Sequence, residues 1–282
     1  MELFVILLSG LLGGLSPVGF IVDRVAQNAI RSRFEKVEQL QVRVDNAPSH
    51  QLIRGKVERV RIASRGLWVT PTLRIAALEL ETDPLAVDIQ SLRQRGQAAS
   101  TEGQRLPTNT LREPLQAGLR LVLTEQDINK LLESPAVTAR LRTIGSRFLG
   151  NMGGQQSQAY EFVNPKVEFL ANDRLRFQVS LQQTGEPAPG ESNDKQLTLN
   201  LESGVGIVSG HQIQLISPQA SINNEPVPEF LLSPLAQTLS EQLDLRKLQD
   251  NGITARLLKL DINQQQMEIA AFVKLQPPVK NE

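Results

Sequence analysis

The sequence predicts an α+β protein dominated by antiparallel sheet, and two observations carry that prediction. Apolar and polar residues alternate with period two in short runs from about residue 40 onward, and these runs follow one another directly. Helical spacing is confined to four segments: 20–37, 124–132, a stretch opening at Pro135, and 228–243. A doubly wound parallel sheet would instead need a helix after nearly every strand. No fixed-period repeat is present.

The elements follow in chain order. Val22, Val25, Ala26, Ala29, Ile30, Phe34 and Val37 form a helical stripe, a helix that turns amphipathic at Asp23. Leu40, Val42 and Val44 alternate with polar neighbours, which predicts a strand ending before Ala47-Pro48-Ser49. Three strands are expected between Lys56 and Leu92. The first sets Val60 and Ile62 against Arg59 and Arg61 and leads into Gly66-Leu67-Trp68-Val69; the others span 73–81 and 85–89. Residues 93–114, rich in Gly, Gln, Thr and Pro, read as a loop.

Residues 119–123 form a further strand, and Thr124 opens a helix in which Thr124 and Asp127 suit a capping box. Ile128, Leu131 and Leu132 give that helix an apolar side. Pro135 fits the first turn of a second helix carrying Val137, Leu141, Ile144, Phe148 and Leu149. Asn172-Asp173 predicts a turn between strands 166–170 and 174–181. Segments 196–201, 205–208 and 212–216 read as three strands. Leu231, Leu235, Leu239 and Leu243 mark an amphipathic helix over 228–243, and 253–260 with 267–275 form a closing hairpin.

Composition excludes several function classes. Lys plus Arg and Asp plus Glu each total 30 in 282 residues, so no global field draws the protein to nucleic acid. With no cysteine there are no disulfides, thiol nucleophiles or cysteine metal sites. His50 and His211 are far apart, and both read as surface residues. Gly204-Val205-Gly206-Ile207-Val208-Ser209-Gly210 has its third glycine one position late for a dinucleotide loop, so a glycine-rich hairpin turn is expected. No carboxylate pair has catalytic or metal-ligand spacing, and the expectation is a non-enzyme without cofactor, catalytic residues or metal.

Two basic features stand out. Arg54, Lys56, Arg59, Arg61 and Arg65 are opposed in sequence only by Glu58, and read first as a solvated strand face. Arg140, Arg142 and Arg147 lie in a stretch without acids from Ser134 to Tyr160. These three are candidate membrane-surface residues, since a basic amphipathic helix can rest on anionic lipid; the alternative is a helix packed on the sheet with an exposed basic edge.

Three stretches carry a resemblance. They are Arg65-Gly66-Leu67-Trp68-Val69 with the two strands after it, Leu123-Thr124-Glu125-Gln126-Asp127-Ile128-Asn129-Lys130-Leu131-Leu132, and 257–261 paired with 267–272. Together they resemble the LmeA-like phospholipid-binding family of bacterial envelope proteins over about residues 20–275. The resemblance implies a fold akin to the tubular lipid-binding proteins, a long curved antiparallel sheet wrapped around amphipathic helices. It implies an apolar groove for acyl chains, where each buried methylene contributes about 0.8 kcal/mol. It supplies no individual lipid-binding residue.

The opening Met-Glu-Leu-Phe-Val-Ile-Leu-Leu has no charge from Leu3 to Val22, a length that matches the ~20 residues of a bilayer-spanning helix. Glu2 in place of a basic residue, and the lack of an Ala-x-Ala site, argue against a cleaved signal. An uncleaved apolar anchor helix is expected, ahead of a signal peptide or a core helix. Arg24, Arg31, Arg33 and Lys36 favour a cytoplasmic C-terminal domain, whereas the resemblance favours the extracytoplasmic, periplasmic side, which is the expectation adopted. The chain then reads as 1–22 anchor or signal-like segment, 23–276 a single α+β domain and 277–282 polar tail. The expected function is phospholipid binding or lipid transfer at the bacterial cell envelope. The alternative is a structural or scaffolding protein whose sheet binds another envelope protein.

Overall fold

The computed structural model describes residues 27–28, 30–45, 51, 54–88, 111–141, 143, 160–183 and 197–277. The expected N-terminal anchor helix, most of the 93–114 loop, His50, Arg142 and Arg147 lie outside the described residues. The chain divides into two compact units. One comprises Met1–Val122, Leu245–Lys259 and Ile269–Glu282; the other comprises Leu123–Asp244 and Leu260–Glu268.

Most of a six-stranded sheet lies in the first unit, while residues 123–124, 260–262 and 266–268 of its strands fall in the second. In chain order the strands of this sheet are β1 (Lys36–Asp45), β3 (Arg59–Trp68), β4 (Arg74–Thr82), β6 (Leu115–Thr124), β12 (Ile253–Ile262) and β13 (Gln266–Leu275). They lie side by side as β1-β3-β4-β6-β13-β12, and the β1–β3, β3–β4 and β4–β6 pairs are antiparallel. Register explains the alternation read in the sequence. Val42, Ile62, Leu80 and Leu119 are successive cross-strand partners, as are Leu40, Ser64, Leu78 and Leu121. Most of these side chains are buried, whereas Arg43 and Glu81 on the opposite face are exposed.

The expected helix over 20–37 is corrected at its C-terminal end. Helical conformation stops at Arg31, and β1 begins at Lys36. The Glu35 amide donates to the Trp68 carbonyl at 3.0 Å, so the sheet captures the chain at that point. Phe34 and Val37 remain buried, but from a turn and a strand. The edge of β1 is then covered: Gln27 Nε2 donates to the Leu40 carbonyl at 2.7 Å and Arg31 donates to the Val37 carbonyl at 2.9 Å. The strand expected over 85–89 is shortened to β5 (Leu85–Ala86), paired with β2 (Lys56–Val57), plus an isolated bridge from Val87 to Leu111.

Gly66 shows why the Arg65-Gly66-Leu67-Trp68-Val69 stretch needs its glycine. Its φ is +58°, and the Glu38 carboxylate occupies the space a Cβ would fill. That carboxylate also meets the Arg74 guanidinium at 3.6 Å, and Arg74 sits 6.0 Å from the centre of the Trp68 ring.

The second unit contains a five-stranded antiparallel sheet. Its strands are β7 (Tyr160–Phe169), β8 (Arg174–Gln183), β9 (Leu197–Val208), β10 (Gln212–Ile222) and β11 (Glu225–Pro226), in the order β11-β10-β9-β8-β7. Helix α1 (Glu125–Leu132) precedes it, a further helix spans 135–141, and α2 (Glu229–Gln242) follows it. Asn172 and Asp173 make the expected tight turn, both with positive φ. Ser134 lies at the N-terminus of the 135–141 helix, its Oγ accepting from the Val137 amide at 3.4 Å, with Pro135 in the first turn as expected.

Three expectations change here. The strands form two principal sheets where one long sheet was expected. The break expected between 201 and 205 does not occur, because β9 runs unbroken through Gly204 and Gly206. Both glycines lie against the Ile216 side chain of β10, and only Ser209-Gly210 forms the turn. Among the described residues, the buried ones of α2 are Leu232 and Ser240, whereas Leu231 and Leu239 are half-buried and Leu243, just past the helix, is 45% exposed. Residues four apart advance about 40° around a helix at each step, so four such leucines wind off any single face. Among the described residues no helix is long and apolar enough to cross a membrane.

Replacing Gly66 with alanine should cost roughly 1–3 kcal/mol in urea unfolding, because it combines a left-handed backbone with the Glu38 clash. Gly118→Ala, where no heavy atom lies within 4 Å of the new methyl, should stay within about 0.5 kcal/mol of the parent.

Candidate functional site

The segment Leu123–Leu132 joins a strand to a helix, and its polar residues do structural work. The Thr124 side chain accepts from the Asp127 amide, and the Asp127 carboxylate accepts from the Thr124 amide at 2.9 Å and the Thr124 hydroxyl at 2.7 Å. Asp127 is therefore buried as a helix cap, as expected. One turn on, Asn129 donates to the Val167 carbonyl at 2.9 Å and accepts from the Val167 amide at 2.7 Å. Glu125 accepts from the Phe169 amide at 3.0 Å. Strand β7 is an edge of its sheet, and this i, i+4 pair on α1 satisfies backbone groups that would otherwise invite another strand. Sequence reasoning missed this clasp. Its only sequence signal was two polar residues four apart, beside an apolar line, on a helix that follows a strand.

The clasp seats α1 on one end of an apolar surface. Ile128 and Leu132 pack with Val167, Phe169, Val205 and Ile262, bordered by Leu175, Phe177, Leu215, Leu260 and Met267. Farther along the same face of the sheet lies a second cluster. Val179, Leu181 and Leu199 are buried there, while Phe177, Leu197, Ala220 and Ile222 remain partly exposed around them. Register makes these one patch: Phe177 pairs with Leu201, Val179 with Leu199 and Leu181 with Leu197, and Leu201 and Leu199 pair onward with Ala220 and Ile222. From Leu175 to Leu181 the apolar line runs about 20 Å along β8. An extended, partly covered apolar surface of this kind is suited to a flexible hydrocarbon, which needs no directional partner.

The opposite faces carry charged side chains, and each unit has a cleft there. In the first unit a cleft of about 790 Å3 has Ala63, Gly118, Ala270 and Leu258 among its lining, with Arg43, Arg61, Arg120, Glu79 and Glu81 around them. Its arginines are matched by carboxylates on the same or a neighbouring strand. Arg43 meets Asp45 at 2.8 Å, Arg120 meets Glu79 at 3.1 Å, and Arg61 also pairs with Asp45. Arg61, and then Arg43, hold the Asp45 carboxyl below its ordinary range. In the second unit a cleft of about 810 Å3 lies beside the start of α2, over Glu168, Arg176, Asn200 and Glu202.

These pairings settle the basic run seen in the sequence. Arg59 meets Glu81 at 3.1 Å and Arg61 meets Asp45, so two of its five cations are balanced by acids far away in the chain. Exposed pairs of this kind contribute little stability and leave little net field. Of the candidate membrane-surface residues, Arg140 is exposed on the 135–141 helix, and Arg142 and Arg147 lie outside the described residues. His211 departs from the surface reading: it is half-buried, with Nδ1 3.2 Å from Asp244 Oδ1, and joins the β9–β10 turn to the segment after α2. Among the described residues no group of three or more metal-ligating side chains converges.

The fold and this surface define an antiparallel-sheet protein with a half-covered apolar face. The chain belongs to the LmeA-like phospholipid-binding family, whose model matches residues 13–272. No curated protein and no solved structure gives a significant match. Family membership thus supports lipid binding as the general function.

Asn129→Ala removes a donor and an acceptor from the β7 edge at once, and should cost about 1–3 kcal/mol in chemical unfolding. Asn129→Asp keeps the acceptor alone and should fall between the two. Equal stability of all three proteins would show that the clasp is dispensable.

Proposed function

We propose that this chain is a non-enzymatic phospholipid-binding or lipid-transfer protein of the bacterial cell envelope. It holds acyl chains against the half-buried apolar face of its five-stranded sheet. The observation that carries the proposal is the patch of Phe177, Leu197, Ala220 and Ile222 around a buried Val179, Leu181 and Leu199, in a chain of a phospholipid-binding family. Large apolar side chains left partly open to water are costly unless something apolar covers them, at about 25 cal/mol per Å2. An acyl chain lying across three strands would remove that cost. The finer fold expected for such a protein, a sheet curled around its helices with a groove for the chain, belongs to the same proposal.

Membrane attachment through residues 1–22, on the periplasmic side, completes the reading. Leu3 to Val22 carries no charge, and an extracytoplasmic location puts a lipid carrier beside two phospholipid sources. The polar residues from Asp23 onward suit a helix leaving the membrane.

Protein lacking residues 1–22, purified without detergent and extracted with organic solvent, should yield co-purified phospholipid by mass spectrometry. Phe177→Ala should reduce the yield, with binding weakened by roughly 5–30-fold for a loss of 1–2 kcal/mol of contact. Protein that carries no lipid and takes none from vesicles would favour the scaffolding alternative.

Charge reversal at Arg140, Arg142 and Arg147 should weaken binding of the same protein to anionic vesicles by up to about 1 kcal/mol for each cation at the surface. Added salt should shrink the difference. Co-sedimentation that is unchanged at low salt would show these residues to be only a solvated helix edge.

A further inference from the structure

We propose that the cleft beside α2, on the charged face of the second unit, binds a neutral sugar. This goes beyond phospholipid binding, which concerns the apolar face of the same sheet.

The cleft has a volume of about 810 Å3, and three of its four charged residues, Glu168, Arg176 and Glu202, are committed to ion pairs. Arg176 bridges Glu168 at 2.7 Å and Glu202 at 3.1 Å, and Arg174 meets Glu202 at 2.9 Å. Arg174, and then Arg176, hold the Glu202 carboxyl below its ordinary range, so it stays charged at neutral pH. With Glu229 the lining carries three carboxylates, Glu168, Glu202 and Glu229, against one guanidinium, Arg176. That balance disfavours a phosphate or any other anion.

The groups left for a ligand are carboxamides and a hydroxyl. Gln178, Asn200 and Ser221 are successive cross-strand partners on β8, β9 and β10, and Gln219 lies opposite Glu202. Gln178 and Gln219 are exposed and Asn200 and Ser221 half-buried, so all four side chains are open to a ligand in the cleft. Carboxamides and hydroxyls both donate and accept, and so does every hydroxyl of a sugar. A cation would use only the carboxamide oxygens and leave their N–H groups without acceptors. Pro218, Pro226, Val227 and Leu232 supply an apolar wall in the same cleft, and a pyranose ring has a C–H face that needs one.

The backbone is shaped around this cleft. β10 bulges between Ile216 and Gln219, and Ser217 within the bulge has a φ of 47°, an uncommon conformation for a residue with a side chain. The buried Ser203 hydroxyl lies 3.1 Å from the Ile216 carbonyl and helps hold the bulge. The bulge swings Ser217, Pro218 and Gln219 into the lining, where a regular strand would send alternate residues to the apolar face.

The test is saturation-transfer NMR on the full chain, in a detergent without a sugar headgroup, with a mixture of glucose, galactose, mannose and N-acetylglucosamine. At least one sugar should receive saturation. Its affinity should fall about tenfold in Gln178→Leu and in the near-isosteric Asn200→Asp, and should be unchanged in Gln41→Leu, a strand residue of the other unit. Circular dichroism of each variant should match the parent. Absence of transfer to all four sugars would overturn the proposal. So would transfer that persists undiminished in both folded cleft variants, or a signal displaced by inorganic phosphate or spermine.

Discussion

Successive side chains of an extended strand point to opposite faces of its sheet, and the rest of this protein depends on that constraint. In each sheet one face is built from Leu, Val, Ile and Phe, and the other from Arg, Glu, Gln and Asn. The apolar faces drive folding and, in the second unit, remain partly open. The charged faces stay in water, where cross-strand carboxylates cancel the arginines. A one-residue slip in register would exchange the two sets, so register is strongly specified, and chemistry follows from which face a residue occupies.

A protein made of open sheets must also manage its edges, and it does so with side chains placed in sequence just before the strands they serve or far away from them. Gln27 and Arg31 donate to carbonyls of the β1 edge, and Glu125 and Asn129 satisfy backbone groups of β7. Asp173, in the β7–β8 turn, accepts from the Ile262 amide at 2.7 Å and so ties a hairpin turn to the end of β12. Two of the stretches that resemble the family therefore have physical explanations: Gly66 makes room for Glu38, and the Thr124-to-Asn129 run caps a helix and clasps an edge. Neither stretch needs a catalytic role.

Much of the fold was legible in the sequence because its signals are local. Period-two runs, the Asn172-Asp173 turn, the Thr124–Asp127 cap and Pro135 each act within a few residues, and each appears where the pattern placed it. What was not legible depends on partners distant in the chain. Past the helix that ends at Arg31 the Trp68 carbonyl takes up the Glu35 amide, and in the unbroken β9 Ile216 lies against Gly204 and Gly206. The resemblance implied an apolar groove for acyl chains, and the sheet carries a half-open apolar patch whose members could not be named, since Phe177, Leu199 and Ile222 meet only through register. The carboxamide row of the opposite cleft was invisible for the same reason.

The central claim is that acyl chains lie along this apolar face, and photocrosslinking tests it most directly. A phospholipid carrying a photoreactive group on its acyl chain, loaded from vesicles and irradiated, should label peptides containing Phe177, Leu197 and Ile222. Labelling confined to the charged face around Glu168, Asn200 and Gln219, or an absence of labelling despite lipid uptake, would contradict the account.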